Sequence, residues 1–229
     1  MKDFNLTYIR QHVRNILDQN MTTDGMVGFG DADTLELDEV IDEQVCAGAR
    51  LIELAAPIEM LGKGFPGKSN VSIIKWAPPI KLYGLPSNFL REVYFKMSTW
   101  EVGITSFSDV GSKDYFMLHS SNAGLVLSSR RPVAILVPSS SHQYNLEVYA
   151  IDGKSLLEEF LFIPEPSISK ANTVSLCDKL EKPVLYAIAS LVANSFGAVQ
   201  QSMNLMSTAK ALAGISEPAQ QVQPNNQSE

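Results

Sequence analysis

Phe89-Leu90-Arg91-Glu92-Val93-Tyr94-Phe95-Lys96-Met97-Ser98-Thr99-Trp100 decides the fold class. Leu90, Glu92, Tyr94, Lys96 and Ser98 alternate with Phe89, Val93, Phe95 and Met97, and a period of two makes a strand with two distinct faces. On either side lie Val71–Trp76, Ile80–Tyr83, Val133–Val137, Leu146–Ile151 and Leu156–Ile163, all rich in β-branched and aromatic residues. Pro78-Pro79, Gly84, Gly103, Pro138 and Asp152-Gly153 punctuate them, the pattern of successive strands. Ile151–Lys154 reads as a hairpin turn, because Asp-Gly accepts the positive φ that tight turns require. The segment 109–127 is ambiguous; Lys113–His119 could be a short helix carried on a loop.

Outside this β-rich middle the period becomes helical. From Thr7 to Gln19, Ile9, Val13, Ile16 and Leu17 share one face at spacings of three and four. Asn20 to Gly30 reads as a loop. A second helix is expected from about Leu37 to Ala56, with acids in its first turn and Pro57 after its last residue. Pro183 fits a first helical turn, and the stripe Val184, Ile188, Leu191, Val192, Phe196, Val199, Met203, Met206 runs to Leu212 as one long helix ended by Gly214. The fold class is therefore α+β: two N-terminal helices and a long C-terminal helix form a core that carries an inserted antiparallel β-sheet or sandwich layer. Residues 1–213 are expected to form a single domain, helical over 1–62 and 180–213 and β-rich over 70–165. The Gln-, Asn- and Pro-rich stretch 214–229 cannot bury enough apolar surface to offset ordering, and reads as a flexible or partner-ordered tail.

The chain has 229 residues, 45% apolar and 19% charged, values ordinary for a globular protein. No apolar run approaches the roughly 20 residues that span a bilayer, so no membrane partner is expected. Met1–Asn5 lacks the basic-then-apolar pattern of a signal peptide. Cys46 and Cys177 stand far apart in segments read as helical, which argues against a disulfide framework and for a reducing compartment.

The net charge of −7 is unevenly placed. Residues 1–57 hold Lys2, Arg10, Arg14 and Arg50 against eleven acids, and the remainder is balanced. Asp31, Asp33, Glu36, Asp38, Glu39, Asp42 and Glu43 form most of the excess. Such a cluster repels phosphate backbones, so sequence-specific DNA binding through it is not expected. It reads as a solvated face at a helix start, where acids favour the macrodipole.

Gly62-Lys63-Gly64-Phe65-Pro66-Gly67-Lys68-Ser69 matches the phosphate-binding pattern G-x-x-x-x-G-K-[ST]. That loop works when a strand precedes it and a helix follows, because the helix N-terminus completes the anion site. Here the order is reversed, with a helix before and Val71–Trp76 after, so a mobile Gly/Lys loop is expected instead and a small NTPase is a remote alternative. Asp31-Ala32-Asp33 lacks the later positions of a calcium loop. His12, His119 and His142 have no ligand spacing to the cysteines, and Ser139-Ser140-Ser141-His142 lacks the glycines of a nucleophile elbow. No catalytic residue, cofactor or metal is expected.

One resemblance covers most of residues 5–213. Its residues are Asp33–Asp38 leading into Ile41, Val45 and Ala49; Leu85-Pro86-Ser87-Asn88-Phe89-Leu90-Arg91 with Val93, Phe95, Met97 and Trp100; Arg131–Ala134; Leu146–Tyr149; and Val184–Val192. In these blocks the chain resembles the ring proteins in the head-to-tail neck of crAss-like gut phages, and the stretch 62–69 is its main departure. The resemblance implies a helical connector-type core and a non-enzymatic structural virion protein, made in the host bacterial cytoplasm. It implies a closed homo-oligomeric ring, expected to be a dodecamer, between the portal and other neck or tail proteins. Double-stranded DNA would pass non-specifically through its lumen, which would be the acidic wall. The alternative is a β-sandwich binding or adaptor module on a helical base.

Overall fold

Strand Leu157–Pro164 is covered on both faces. Phe160 and Phe162 point into one hydrophobic cluster, while Ile163 lies in a second and Leu161 packs against it. This alternation, two apolar sets on opposite sides of one strand, places a sheet in the middle of the molecule. The computed structural model describes residues 1–19, 34–77, 80–119, 130–139, 144–149 and 154–216. In chain order these form β1 (Lys2–Asn5), α1 (Leu6–Gln19), α2 (Thr34–Ala55), α3 (Ile58–Leu61), β2 (Phe65–Pro66), β3 (Ser72–Ala77), β4 (Ile80–Gly84), β5 (Phe89–Met97), β6 (Ser108–Asp109) and α4 (Lys113–His119). There follow β7 (Ala134–Pro138), β8 (Tyr144–Val148), β9 (Leu157–Pro164), β10 (Thr173–Leu176), α5 (Glu181–Ser195) and α6 (Val199–Leu212).

The fold class is α+β, with layers. The middle sheet has the order β2-β9-β5 and the outer sheet β3-β4-β8-β7-β6. Every pairing in them is antiparallel except β6 with β7. Between the sheets, Phe89, Phe95, Phe160 and Phe162 pack as an aromatic group with Tyr83, Trp100, Leu146 and Val148. On the other side of the middle sheet lies the helical layer, joined by a two-stranded sheet of β1 with β10.

The helical layer is organised around α5. Val184, Leu185, Ala187, Ile188, Ala189, Val192 and Ala193 are all buried, so this helix is apolar nearly all round. α2 presents Ile41, Val45, Ala49 and Ile52 to the core, and α1 presents Ile9, Val13 and Leu17. At Gly48, α2 packs tightly on α5: a Cβ there would stand 3.1 Å from the backbone nitrogen of Ile188.

Three expectations change. The expected long C-terminal helix is two helices. Gly197 has φ +79°, its N–H donates to the carbonyl of Asn194 (3.0 Å), and Ala198 N–H donates to Ala193 (2.9 Å). Glycine enters the left-handed region at little cost and closes the helix there, although the apolar stripe continues across the break. α6 then folds back along α5, with Ser190 Oγ donating to the carbonyl of Ser202 at 2.7 Å. Next, β8 and β9 are not hairpin partners: β8 pairs with β4 and β7, β9 with β2 and β5. Residues 150–153, and with them the Asp-Gly turn, lie outside the described residues. Last, β1 and β10 fall in stretches given no strand in the sequence; Phe4 opposite Val174 supplies the buried pair that fixes their register.

Candidate functional site

The acidic segment divides when placed on the fold. Asp38 and Asp42 stand four apart on one face of α2, and Arg10 and Arg14 four apart on α1, so antiparallel packing makes a ladder of two pairs. Arg10 Nε donates to Asp42 Oδ1 at 2.9 Å; Arg14 donates to Asp38 Oδ1 from Nε at 3.0 Å and from Nη2 at 2.8 Å. These two acids are half-buried helix-to-helix pins, a correction to their assignment to a free acidic face. Glu39 and Glu43 do face outward from α2. Asp31 and Asp33 lie outside the described residues, as does the Glu36 side chain.

Within the stretch 62–69, Phe65, Pro66 and Gly67 lie against the middle sheet. β2 pairs Phe65 with Phe162 and Pro66 with Leu161, and Gly67 N–H donates to the Phe160 carbonyl at 2.8 Å. A Cβ at Gly67 would lie 2.5 Å from the Phe160 ring, so only glycine lets the chain pass this close. α3 precedes the loop, and a three-residue 3-10 turn, Lys68–Asn70, leads into β3. The strand–loop–helix order that a phosphate cradle needs is therefore reversed, and the Gly67 amide, one such a cradle would use, is spent on β9.

Sequence reasoning missed a buried polar cluster where α2 meets β5 and β10. Glu53 is fully buried; its Oε1 accepts the Cys177 N–H at 2.9 Å, while Oε2 has no protein partner. Burial holds its pKa above the ordinary carboxylate value. Burial also raises the Cys177 thiol, with the Glu53 charge adding to it, which makes that sulfur unreactive. From β5, one Nη of Arg91 donates to the carbonyls of Leu54 (2.9 Å) and Ala56 (2.5 Å), groups that the end of α2 leaves without helical partners. Arg91 lay in a strongly patterned strand, where its period gave no hint of capping a distant helix.

Two further clusters lie on the outer sheet. Tyr149 donates from its hydroxyl to Glu147 Oε2 at 2.7 Å, and His119 of α4 approaches the same carboxylate oxygen at 3.5 Å. This trio fastens α4 to the sheet. Nearby, a polar cavity of about 320 Å³ is lined by Thr105, Ser106, Ser108 and Asp114, with Ser108 donating to Asp114 at 3.0 Å. His12 turns its Nδ1 to the Tyr8 carbonyl at 2.9 Å, and Ser140, Ser141 and His142 lie outside the described residues.

An open groove runs between α5 and α6. It encloses about 380 Å³ and is lined by Leu191, Met203 and Met206 over a floor containing Ser190 and Ser202. Among the described residues no group of three His, Cys, Asp or Glu is placed to hold a metal ion. No helix among them is long and apolar enough to cross a membrane. No family model matches this chain, and no curated protein matches it.

Proposed function

We propose that this chain is a non-enzymatic structural subunit of a phage virion, forming a closed ring, a dodecamer, in the neck between portal and tail. The observation that carries this reading is the distribution of exposed apolar side chains. Among the exposed large apolar side chains three groups stand on separate faces, Leu51 and Leu54 on α2, Val199 and Met203 on α6, and Ile73, Ile74 and Tyr144 on the outer sheet, while others such as Phe65, Phe116 and Leu156 are scattered. A subunit of a ring that is itself stacked on other rings meets neighbours on both flanks and at one end, which calls for three such faces. The resemblance drawn from the sequence blocks supports the same reading. The exposed acid Glu39 would add to a negative surface that does not retain passing DNA.

Negative-stain imaging of the purified full-length chain tests this. Rings with a central opening are expected; single particles of one subunit's size, alone and with portal added, would overturn it. A second reading, a binding module on a helical base, draws on the polar cavity beside Asp114. Soluble glycans shifting the amide signals of Ser106 and Ser108 would favour it.

A further inference from the structure

The faces of α2 and α6 carry matching stripes. On α2, Glu43, Ala47, Leu51 and Leu54 fall in one row, all exposed, with Leu51 at 48% and Leu54 at 42%. On α6, Val199, Met203, Met206 and Lys210 fall in another, with Val199 at 57% and Met203 at 62%. Each row spans eleven positions, about 16 Å or three turns of helix, and each ends on a charged residue, the two of opposite sign; Arg50, exposed beside Leu54 on α2, is tied to Glu165. Lys210 is also the only ionisable residue in the 14 of α6, an odd composition for a helix with most of its surface outward.

The two rows do not face each other within one subunit. α5 stands between them: Ile188 meets Gly48 of α2, whereas Ser190 and Asn194 line the α6 groove. Those two positions lie about 200° and 240° round the helix from Ile188. One stripe therefore needs a partner on one flank of the helical layer, and the other stripe a partner on another flank.

We infer that the α2 stripe of one copy lies antiparallel along the α6 stripe of a second copy, with Leu54 beside Val199, Leu51 beside Met203, Ala47 beside Met206 and Glu43 beside Lys210. Run antiparallel, the apolar positions fall opposite one another and the opposite charges meet at the same end. Flexible methionines over a serine-lined groove adapt to the two leucine anchors, Leu51 and Leu54, at i and i+3 spacing. The contact is heterologous, because each copy offers a different face to each neighbour, and repeated contacts of this kind close into rings. Glu43 thereby belongs to the subunit contact rather than to a lumen wall. This pairing rests on the ring reading above.

Two exposed substitutions in the full-length chain decide it: Leu51→Asp on α2 and Met203→Asp on α6. Both positions are open to water, so circular dichroism is expected to show native helix content in each variant. By light scattering, the wild type is expected as a ring and each variant alone as a monomer. A mixture of the two variants is expected to stop at a 1:1 dimer, because one intact α2 stripe and one intact α6 stripe remain. Wild-type-like rings from either variant would overturn the pairing while leaving the ring reading intact. A mixture that stays monomeric would also overturn it. A wild type that remains monomeric at every concentration would overturn the ring reading itself, and the pairing with it.

Discussion

Gly48→Ala sets two effects of known sign against each other where α2 packs tightly on α5. Replacing a mid-helix glycine by alanine gains about 0.5–1 kcal/mol of backbone entropy and propensity. The new Cβ, however, would stand 2.7 Å from Cγ1 of Ile188, 3.1 Å from its backbone nitrogen and 3.3 Å from its Cα. A side chain can rotate away from such a contact; a helix backbone buried between α1, α2 and α6 cannot move without disturbing all three. Overpacking of this kind costs about 1–3 kcal/mol, so the steric term outweighs the propensity. A net loss of about 1 kcal/mol lowers the Tm by about 2–4 °C for a chain of this length. Thermal melting followed by far-UV circular dichroism reads it. In the double variant with Ile188→Ala the two losses should sum to less than their separate values, since the cavity accepts the new methyl. A rise in Tm for Gly48→Ala alone would refute the close packing.

Other consequences follow from the buried and paired acids. The pKa of Glu53 is raised by burial, so the folded state favours its protonated form. Its contribution to stability is complete below the unfolded value of about 4.3 and is lost as pH rises through the folded value. Glu53→Gln should therefore gain stability relative to wild type as pH increases, measured by urea denaturation at several pH values; parallel profiles would contradict the buried-acid account. For Arg14 with Asp38, both about 29% exposed, a double-mutant cycle should give a coupling of about 0.2–1 kcal/mol that shrinks in high salt. A coupling unchanged by salt would mean the pair is not the solvent-screened pin described here.

The parts of the fold legible in the sequence were those with strong local periods. α1, α2, β5 and β9 came through because an amphipathic helix or a strand buried on both faces repeats its pattern over several turns or residues. Even α4, seven residues on a loop, was visible in Lys113–His119. Pairing between distant segments was not legible. β8 and β9 flank a good turn sequence yet join different sheets, because the aromatic face of β9 is satisfied by β5 rather than by its neighbour in sequence. The break at Gly197 was hidden by an apolar stripe that both helices continue, and only the positive φ of glycine marks it. For the acidic segment, composition gave the charges, but the arginines that neutralise Asp38 and Asp42 lie on another helix, beyond the reach of a local reading. Glu53 looked like one more helix acid; its burial is a product of β10 and Arg91 arriving from far along the chain.

Native mass spectrometry of the purified full-length chain, over a range of concentrations, tests the ring assignment most directly. A closed ring predicts one discrete assembly of twelve subunits, with no open-ended ladder beside it, because the last heterologous contact consumes both free faces. A chain that is monomeric throughout, or one that grows continuously with concentration, would contradict it.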